Sequence, residues 1–238
     1  MWKQQVTKDL TKKSKQELLD YNGLWSINNV PHVPLNLNYF KITNIKYDIE
    51  ALKHDLAIAK QNIKWTNKSK DKRWKSITLK SYDGGDQSFL KKTELGTGGD
   101  NKYRYTNAMH GCKYFQKILA EIPTDIYLVR ILLLEEGGII KFHTDEEVFK
   151  NKTDIIRCHI PIITNPNIKF RIGFPLSSPA PGYEIWKASV MHEKHLEEGY
   201  MYYTNVNTLH SVVNNTKTPR YHLCIDMRPP KQILKILY

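Results

Sequence analysis

The triplet His143-Thr144-Asp145 holds the residues of this sequence best placed for chemistry. It follows the apolar run Ile139 to Phe142. In an extended chain residues i and i+2 project to one face, so an imidazole and a carboxylate can converge on a single ion. Two such ligands need a third. His210, 67 residues further on, opens another apolar run, His210-Ser211-Val212-Val213. Two histidines and one carboxylate, with positions left open, form the face typical of non-haem Fe(II) sites. A lone H-x-D also has an ordinary explanation, a surface histidine beside an acid. A zinc hydrolase is a further reading, disfavoured by the arginine that follows.

That arginine is Arg220. Residues Asn214 to Pro219 have turn chemistry. A hairpin centred on Asn215 pairs residues whose numbers sum to about 430, which sets His210 opposite Arg220 at roughly 4.5–5.5 Å between Cβ atoms, or one diagonal further. A molecule chelated at the metal by one end could then reach the guanidinium with a distal carboxylate, which arginine takes with two hydrogen bonds. The alternative is an arginine that closes a surface strand. Arg157 and His159 share one face of the apolar run Ile155 to Ile163, with Cys158 on the other. A cation and an imidazole in so apolar a strand need an anionic or polar partner. A bound dicarboxylate would serve, and so would a local acid. His222 shares the side of Arg220 and is a further candidate for the site lining. His192 and His195 are three residues apart, not the four of HExxH, and lie in a polar insertion. His32, His54 and His110 read as surface or packing residues.

The elements that must position these groups fall into two classes. Apolar spacing at Ile49, Leu52, Leu56 and Ala59 predicts a helix over about Ile45 to Ile63, and a second runs from about Gly111 to Glu121, stopped by Pro123. Trp74 to Ser81 predicts a strand. From Asp125 onward the pattern is β: Ile126–Leu134, Ile139–His143, Ile155–Ile163, Ile168–Phe174, Tyr183–Ala188, Gly199–Asn205, His210–Asn214 and Arg220–Asp226. Short strands between Gly, Pro and Asn turns suggest a two-sheet antiparallel jelly roll, mainly β with flanking helices. Segregation of helices from strands argues against a doubly wound α/β fold. Residues 1–35 read as an N-terminal arm with a short helix over Ser14 to Asp20. Residues 36–238 read as a single domain whose β core spans about 125–228. The segment 82–107 reads as a long irregular connection; its glycines, Gly96 to Gly99, fit neither a phosphate loop nor GxGxxG.

Charge is unevenly distributed. Met1 to Lys80 carries 16 Lys and Arg against 7 Asp and Glu, a net of +9, and the remainder carries 20 against 17, a net of +3, which together give the +12 of the whole chain. Such a basic third attracts nucleic acid, acidic proteins or anionic substrates, or simply keeps helices solvated. Lys75 and Lys80 differ by an odd number, so a regular strand aims only one of them inward. Cys112, Cys158 and Cys224 form no CxxC pair and no disulfide framework, which fits reduced, buried thiols. No apolar run reaches the roughly 20 residues of a membrane span. Met1 to Lys15 lacks the apolar core of a signal peptide, so a cytoplasmic location is expected.

From Trp74 to Asp226 the chain resembles the aspartyl/asparaginyl β-hydroxylase family. The matching pieces are Trp74 to Ser81, Val129-Arg130-Ile131-Leu132-Leu133-Leu134 leading through Gly137-Gly138 to His143, the R-x-H strand at Arg157, and His210 to Arg220 ending in Leu223-Cys224-Ile225-Asp226. The resemblance implies a double-stranded β-helix (cupin-like) fold, Fe(II), 2-oxoglutarate and dioxygen, and hydroxylation of an aliphatic C–H with release of succinate and carbon dioxide. It implies that His143, Asp145 and His210 hold the metal, that Arg220 binds the distal carboxylate of 2-oxoglutarate, and that Arg157 and His159 contact it nearer the metal. The family also implies an amino-acid or peptide substrate (Asp, Asn or Pro type), and the basic third favours one carrying a carboxylate. Some members have glycine in place of the carboxylate ligand, where Asp145 is kept here; some have a serine where this chain has Leu132; and the insertion Ser177 to His195 is longer than usual. The competing readings are a 2-oxoglutarate oxygenase acting on nucleic acid, for which Trp25, Tyr39, Phe40, Trp65 and Trp74 supply stacking groups, and a non-catalytic β-sandwich binding module.

Overall fold

A computed structural model of the chain describes residues 39–41, 45–68, 72–86, 102–145, 155–176 and 188–229. The elements are β1 (Tyr39–Lys41), α1 (Ile49–Asn62), β2 (Thr66–Asn67), β3 (Trp74–Tyr82), β4 (Tyr103–Tyr105), a single 3-10 turn at Asn107–Met109, α2 (Lys113–Glu121), β5 (Ile126–Leu134), β6 (Ile139–His143), β7 (Ile156–Ile163), β8 (Lys169–Pro175), β9 (Ala188–Lys194), β10 (Tyr202–Thr204), β11 (His210–Val213) and β12 (Arg220–Met227). They form a large antiparallel sheet in the order β1-β10-β7-β12-β5-β3-β2, with β4 on β3, and a small one in the order β6-β11-β8-β9. The architecture is the expected jelly roll with two flanking helices. The expected N-terminal arm and the Gly96–Gly99 cluster lie outside the described residues. Among the described residues no helix is long and apolar enough to cross a membrane.

Helix α1 starts later than its apolar spacing suggests because Asp48 caps it, accepting hydrogen bonds from the backbone of Glu50 (2.9 Å) and Ala51 (3.1 Å). Its buried face, Leu52, Leu56 and Ala59, joins Phe115 and Ile118 of α2 against one face of the large sheet, in one core with Ile131, Ile160 and Leu223. Truncating one such buried leucine to alanine costs about 2–5 kcal/mol. The opposite face of the same strands, offset by one residue, carries Arg130, Leu132, Arg157, His159 and Arg220 toward a cavity shared with the small sheet. A sheet covered on both faces reads as an almost unbroken apolar run, and its rare charges mark where the interior must be polar.

Four expectations about the strands are corrected. First, His210 and Arg220 are not hairpin partners. Strand β11 pairs with β6 and β8, while β12 pairs with β5 and β7 in the other sheet. The connection crosses between sheets, and Asn214, fully buried, fastens it through Nδ2 to the carbonyls of Leu134 (3.0 Å) and Thr218 (2.9 Å). Second, the end of the insertion, Ala188–Lys194 with His192, is strand β9, paired along β8, while the expected strand Tyr183–Ala188 lies outside the described residues except for Ala188. The polar, largely accessible sequence of β9 is that of an edge strand. Third, the connection before α2 contains β4, paired with the end of β3. Fourth, a bulge between Thr78 and Lys80 breaks the parity rule applied to Lys75 and Lys80. Lys75 is held by Glu135 at 2.7 Å, and Lys80 is buried. All three cysteines are buried and free, as expected.

Candidate metal centre

The three predicted ligands come together. His143 ends β6 and His210 begins β11, and the register of the two strands sets them directly opposite each other. Their ring centroids are 4.3 Å apart. Asp145, two residues beyond His143, is held in place by its backbone N–H, which donates to the Val206 carbonyl at 2.8 Å. One ligand atom from each of His143, Asp145 and His210 lies within 4.8 Å of the others, and no other trio of metal-ligating side chains does so among the described residues. Gly173 permits the local packing: a Cβ there would sit 2.5 Å from the Phe142 ring.

Both imidazoles are oriented by backbone carbonyls two residues before them. His143 Nδ1 lies 2.8 Å from the Lys141 carbonyl and His210 Nδ1 lies 2.9 Å from that of Thr208. A carbonyl only accepts, so each Nδ1 carries a proton and donates it, which turns Nε2 toward the shared space. Phe170 stacks on His210 at 5.6 Å between centroids, and Trp74 lies 6.1 Å from His143. Burial and the neighbouring His143 push the His210 pKa down to about 3, so it is neutral and fit to ligate. Burial pulls His143 down too, but the hydrogen bond and charge of Asp145 outweigh it and raise its pKa. Burial raises Asp145, but Arg157 and the two histidines outweigh it and hold the carboxyl well below the usual range.

The cavity beside these groups has a volume of about 190 Å³. Arg220, 4% exposed, lines it. Among the described residues no carboxylate pairs with it; its Nη2 meets His222 Nδ1 at 3.0 Å. Burial lowers the Arg220 pKa to about 10, which leaves it charged at neutral pH. His159 and His222 lie beside it with rings 5.6 Å apart, and His159 Nδ1 and His222 Nε2 are buried without a hydrogen-bond partner among the described residues. Burial, and then the charge of Arg220, keep both imidazoles far below their usual pKa.

Arg157 differs. Its Nε donates to Asp226 Oδ1 at 2.6 Å, its Nη2 to Asp226 Oδ2 at 2.9 Å, and its Nη1 to Asp145 Oδ2. The local-acid reading of this arginine therefore describes its contacts. Asp226 is fully buried and its Oδ2 also accepts from Arg130 Nη2 at 3.0 Å.

A family model for aspartyl/asparaginyl β-hydroxylase matches residues 40–230. The chain belongs to that family. It is accordingly an Fe(II)/2-oxoglutarate-dependent oxygenase. No curated protein matches the sequence. Among solved structures it is similar to a 2OG-Fe(II) oxygenase family oxidoreductase from Burkholderia pseudomallei, at 10% identity over 74% of this chain and 78% of that one, with a TM-score of 0.44. It is similar also to the epimerase SnoN in complex with Fe3+, alpha ketoglutarate and nogalamycin RO, at 14% identity over 80% and 78%, TM-score 0.46. A third is the non-heme monooxygenase ThoJ in a nickel complex, at 12% identity over 82% and 74%, TM-score 0.41.

Within this oxygenase the sequence pointed to six site residues, His143, Asp145, His210, Arg157, His159 and Arg220, and all six line one cavity. Leu132, on the strand where some members carry serine, lines it too. His192 and His195 do not line it, and His195 Nδ1 meets the Ile168 carbonyl at 3.2 Å. His54 is on the surface, its side chain 73% exposed. Sequence reasoning missed Arg130, Asp226 and Lys68. The first two carried a signal, charges set at alternate positions in apolar strands. Lys68 carried none. It lines the cavity from the end of the short strand β2, and burial, then Arg130 and Arg157, lower its pKa to about 7.

Proposed function

We propose that His143, Asp145 and His210 hold Fe(II), that Arg220 binds the distal carboxylate of 2-oxoglutarate, and that the oxygenase hydroxylates an amino-acid side chain, free or in a peptide. The observation that carries this is the Arg220 guanidinium, charged, buried and without a carboxylate partner among the described residues, in the same cavity as the three metal-ligating side chains. A buried cation left unpaired costs several kcal/mol. A carboxylate entering the cavity offsets that cost and gains two charge-assisted hydrogen bonds. His159 extends the same polar wall, while His222, which does not line the cavity, lies behind it against Arg220. When bound, iron and 2-oxoglutarate supply the oxidising power: one atom of dioxygen enters the C–H bond as hydroxyl, and the other leaves in succinate with loss of carbon dioxide.

The side chains do the rest. His143 and His210 present Nε2 because their other nitrogens are tied to backbone carbonyls. Asp145 adds one negative charge, and three protein ligands leave coordination positions for cosubstrate and dioxygen. Leu132, Ile140, Phe170, Val206 and Val212 exclude water around the reacting bond. Asp145 and Asp226 offset the charges of Arg157 and Arg130, so the positive charge left in the lining is chiefly that of Arg220, and that end of the cavity favours an anion. Its volume is small beside the roughly 300–1,000 Å³ of drug-sized sites, in keeping with a side chain as substrate. Anaerobic binding of Fe(II) and 2-oxoglutarate, followed by succinate assays over amino acids, peptides and oligonucleotides, tests the reading. Succinate formation is expected with an amino acid or peptide that carries a carboxylate. Stimulation by oligonucleotides and by no amino acid or peptide would overturn it.

A further inference from the structure

We infer that Asp226 is a positioning residue for the Asp145 carboxylate, acting through Arg157. The inference rests on the reading of Asp145 as a metal ligand. Asp226 lies on β12, directly across from Arg157 on β7. Its two oxygens take the Nε and Nη2 edge of the guanidinium at 2.6 and 2.9 Å, which fixes the plane of that group. Only Nη1 is then aimed beyond the clamp, and it donates to Asp145 Oδ2. Asp145 Oδ1 is left facing His143 Nε2 at 3.4 Å, on the side where the ligand atoms converge. Arg130 Nη2, bound to Asp226 Oδ2 at 3.0 Å, holds the far side of the clamp.

The arrangement has a chemical consequence. A carboxylate free to rotate can chelate a metal through both oxygens and so occupy a position that cosubstrate or dioxygen requires. With Oδ2 taken by Arg157, Asp145 offers one oxygen. Two carboxylates and two guanidiniums also sum to zero, so the clamp keeps the charge of Arg157 and Arg130 from opposing a metal cation. Asp226 does not line the cavity, which is why its role is positioning. Outer partners of this kind cost roughly 10–100-fold in metal affinity when changed.

The test measures Fe(II) affinity of the full chain by anaerobic competition with a chromophoric chelator, well below each variant's melting midpoint, with Co(II) absorption as a second readout of coordination. Asp226→Asn is expected to weaken Fe(II) binding about 10–100-fold and to alter the Co(II) spectrum. Arg157→Lys keeps the positive charge but cannot span both carboxylates, and the same loss is expected. The double variant should bind no more weakly than the weaker single one, because both act through one contact. A merely structural Asp226 would lower the melting midpoint and leave the metal affinity of the folded protein unmoved, and that result overturns the inference. So does a double variant whose losses multiply. If Asp226→Asn shows no cooperative melt, Arg157→Lys decides alone, and wild-type affinity in it overturns the proposal. His143→Ala separates the two levels. If it keeps iron, the ligand reading fails; if it loses iron while Asp226→Asn binds normally, only the positioning role fails.

Discussion

Two arginines on neighbouring strands, Arg220 buried and Arg157 partly exposed, face the same cavity and live under opposite conditions. Arg157 on β7 is surrounded by carboxylates, with Asp226 on two of its nitrogens and Asp145 on the third. Arg220 on β12 has a histidine beside it and, among the described residues, no carboxylate. Burial works against both cations, but the acids lift the Arg157 pKa well above its ordinary value, while Arg220 is lowered to about 10. One end of the cavity is thus neutralised from within and the other is left positive. A protein tolerates an unpaired internal cation where a ligand supplies the counter-charge, so the comparison separates groups that build the site from a group that receives something.

The largest expected effect erases the site that both arginines serve. His210→Ala should abolish stoichiometric Fe(II) binding, read by anaerobic titration, while the protein stays folded. The residue sits at a strand end, and its loss removes one of the three proposed ligands. Next, replacing each arginine by methionine should have unequal effects on stability. Arg157→Met strands Asp226 and Asp145 and is expected to destabilise by about 3–5 kcal/mol in chemical denaturation. Arg220→Met removes an unpaired buried charge and should not destabilise; a gain of about 1–4 kcal/mol is expected. Equal losses would erase the distinction. For turnover the order reverses in meaning: Arg220→Ala should weaken 2-oxoglutarate by about 2–5 kcal/mol with iron affinity little changed.

A smaller effect comes from pH. His159 and His222 have folded-state pKa values well below the usual 6.5, through burial and then the Arg220 charge. The unfolded chain takes up protons near pH 6.5 that the folded protein refuses. Their contribution to stability is therefore complete above about pH 6.5 and is lost as pH falls toward the folded values. The slope is at most about 1.4 kcal/mol per pH unit for each histidine. His159→Gln should flatten this acid limb in denaturation series, and an unchanged slope would show that the histidine is not held neutral.

How much of this was legible in the sequence depends on whether a feature is local. The pairing of His143 with Asp145 needs only strand parity, and the helix faces around Leu52 and Phe115 need only the helical period. Arg220 was found by a route the fold does not take. A hairpin placed it opposite His210, whereas the chain crosses between sheets and brings the two together across the cavity. Asp226 and Arg130 went unread because their partnership depends on strand order. Arg130 faces Cys224 and Asp226 faces Arg157 only once β12 lies between β5 and β7. The bulge after Thr78 shows the same limit on a smaller scale, since one extra residue undoes the parity that divided Lys75 from Lys80.

The unpaired state of Arg220 is the centre of the account, and ligand-dependent melting tests it most directly. Wild type and Arg220→Met are melted anaerobically with Fe(II), with and without 2-oxoglutarate. Wild type should gain stability from the cosubstrate, about 2.7 kcal/mol at a concentration 100 times its Kd. The variant should keep the shift caused by iron and lose the further shift caused by 2-oxoglutarate. An undiminished 2-oxoglutarate shift in Arg220→Met would contradict the assignment of this arginine as the cosubstrate's anchor.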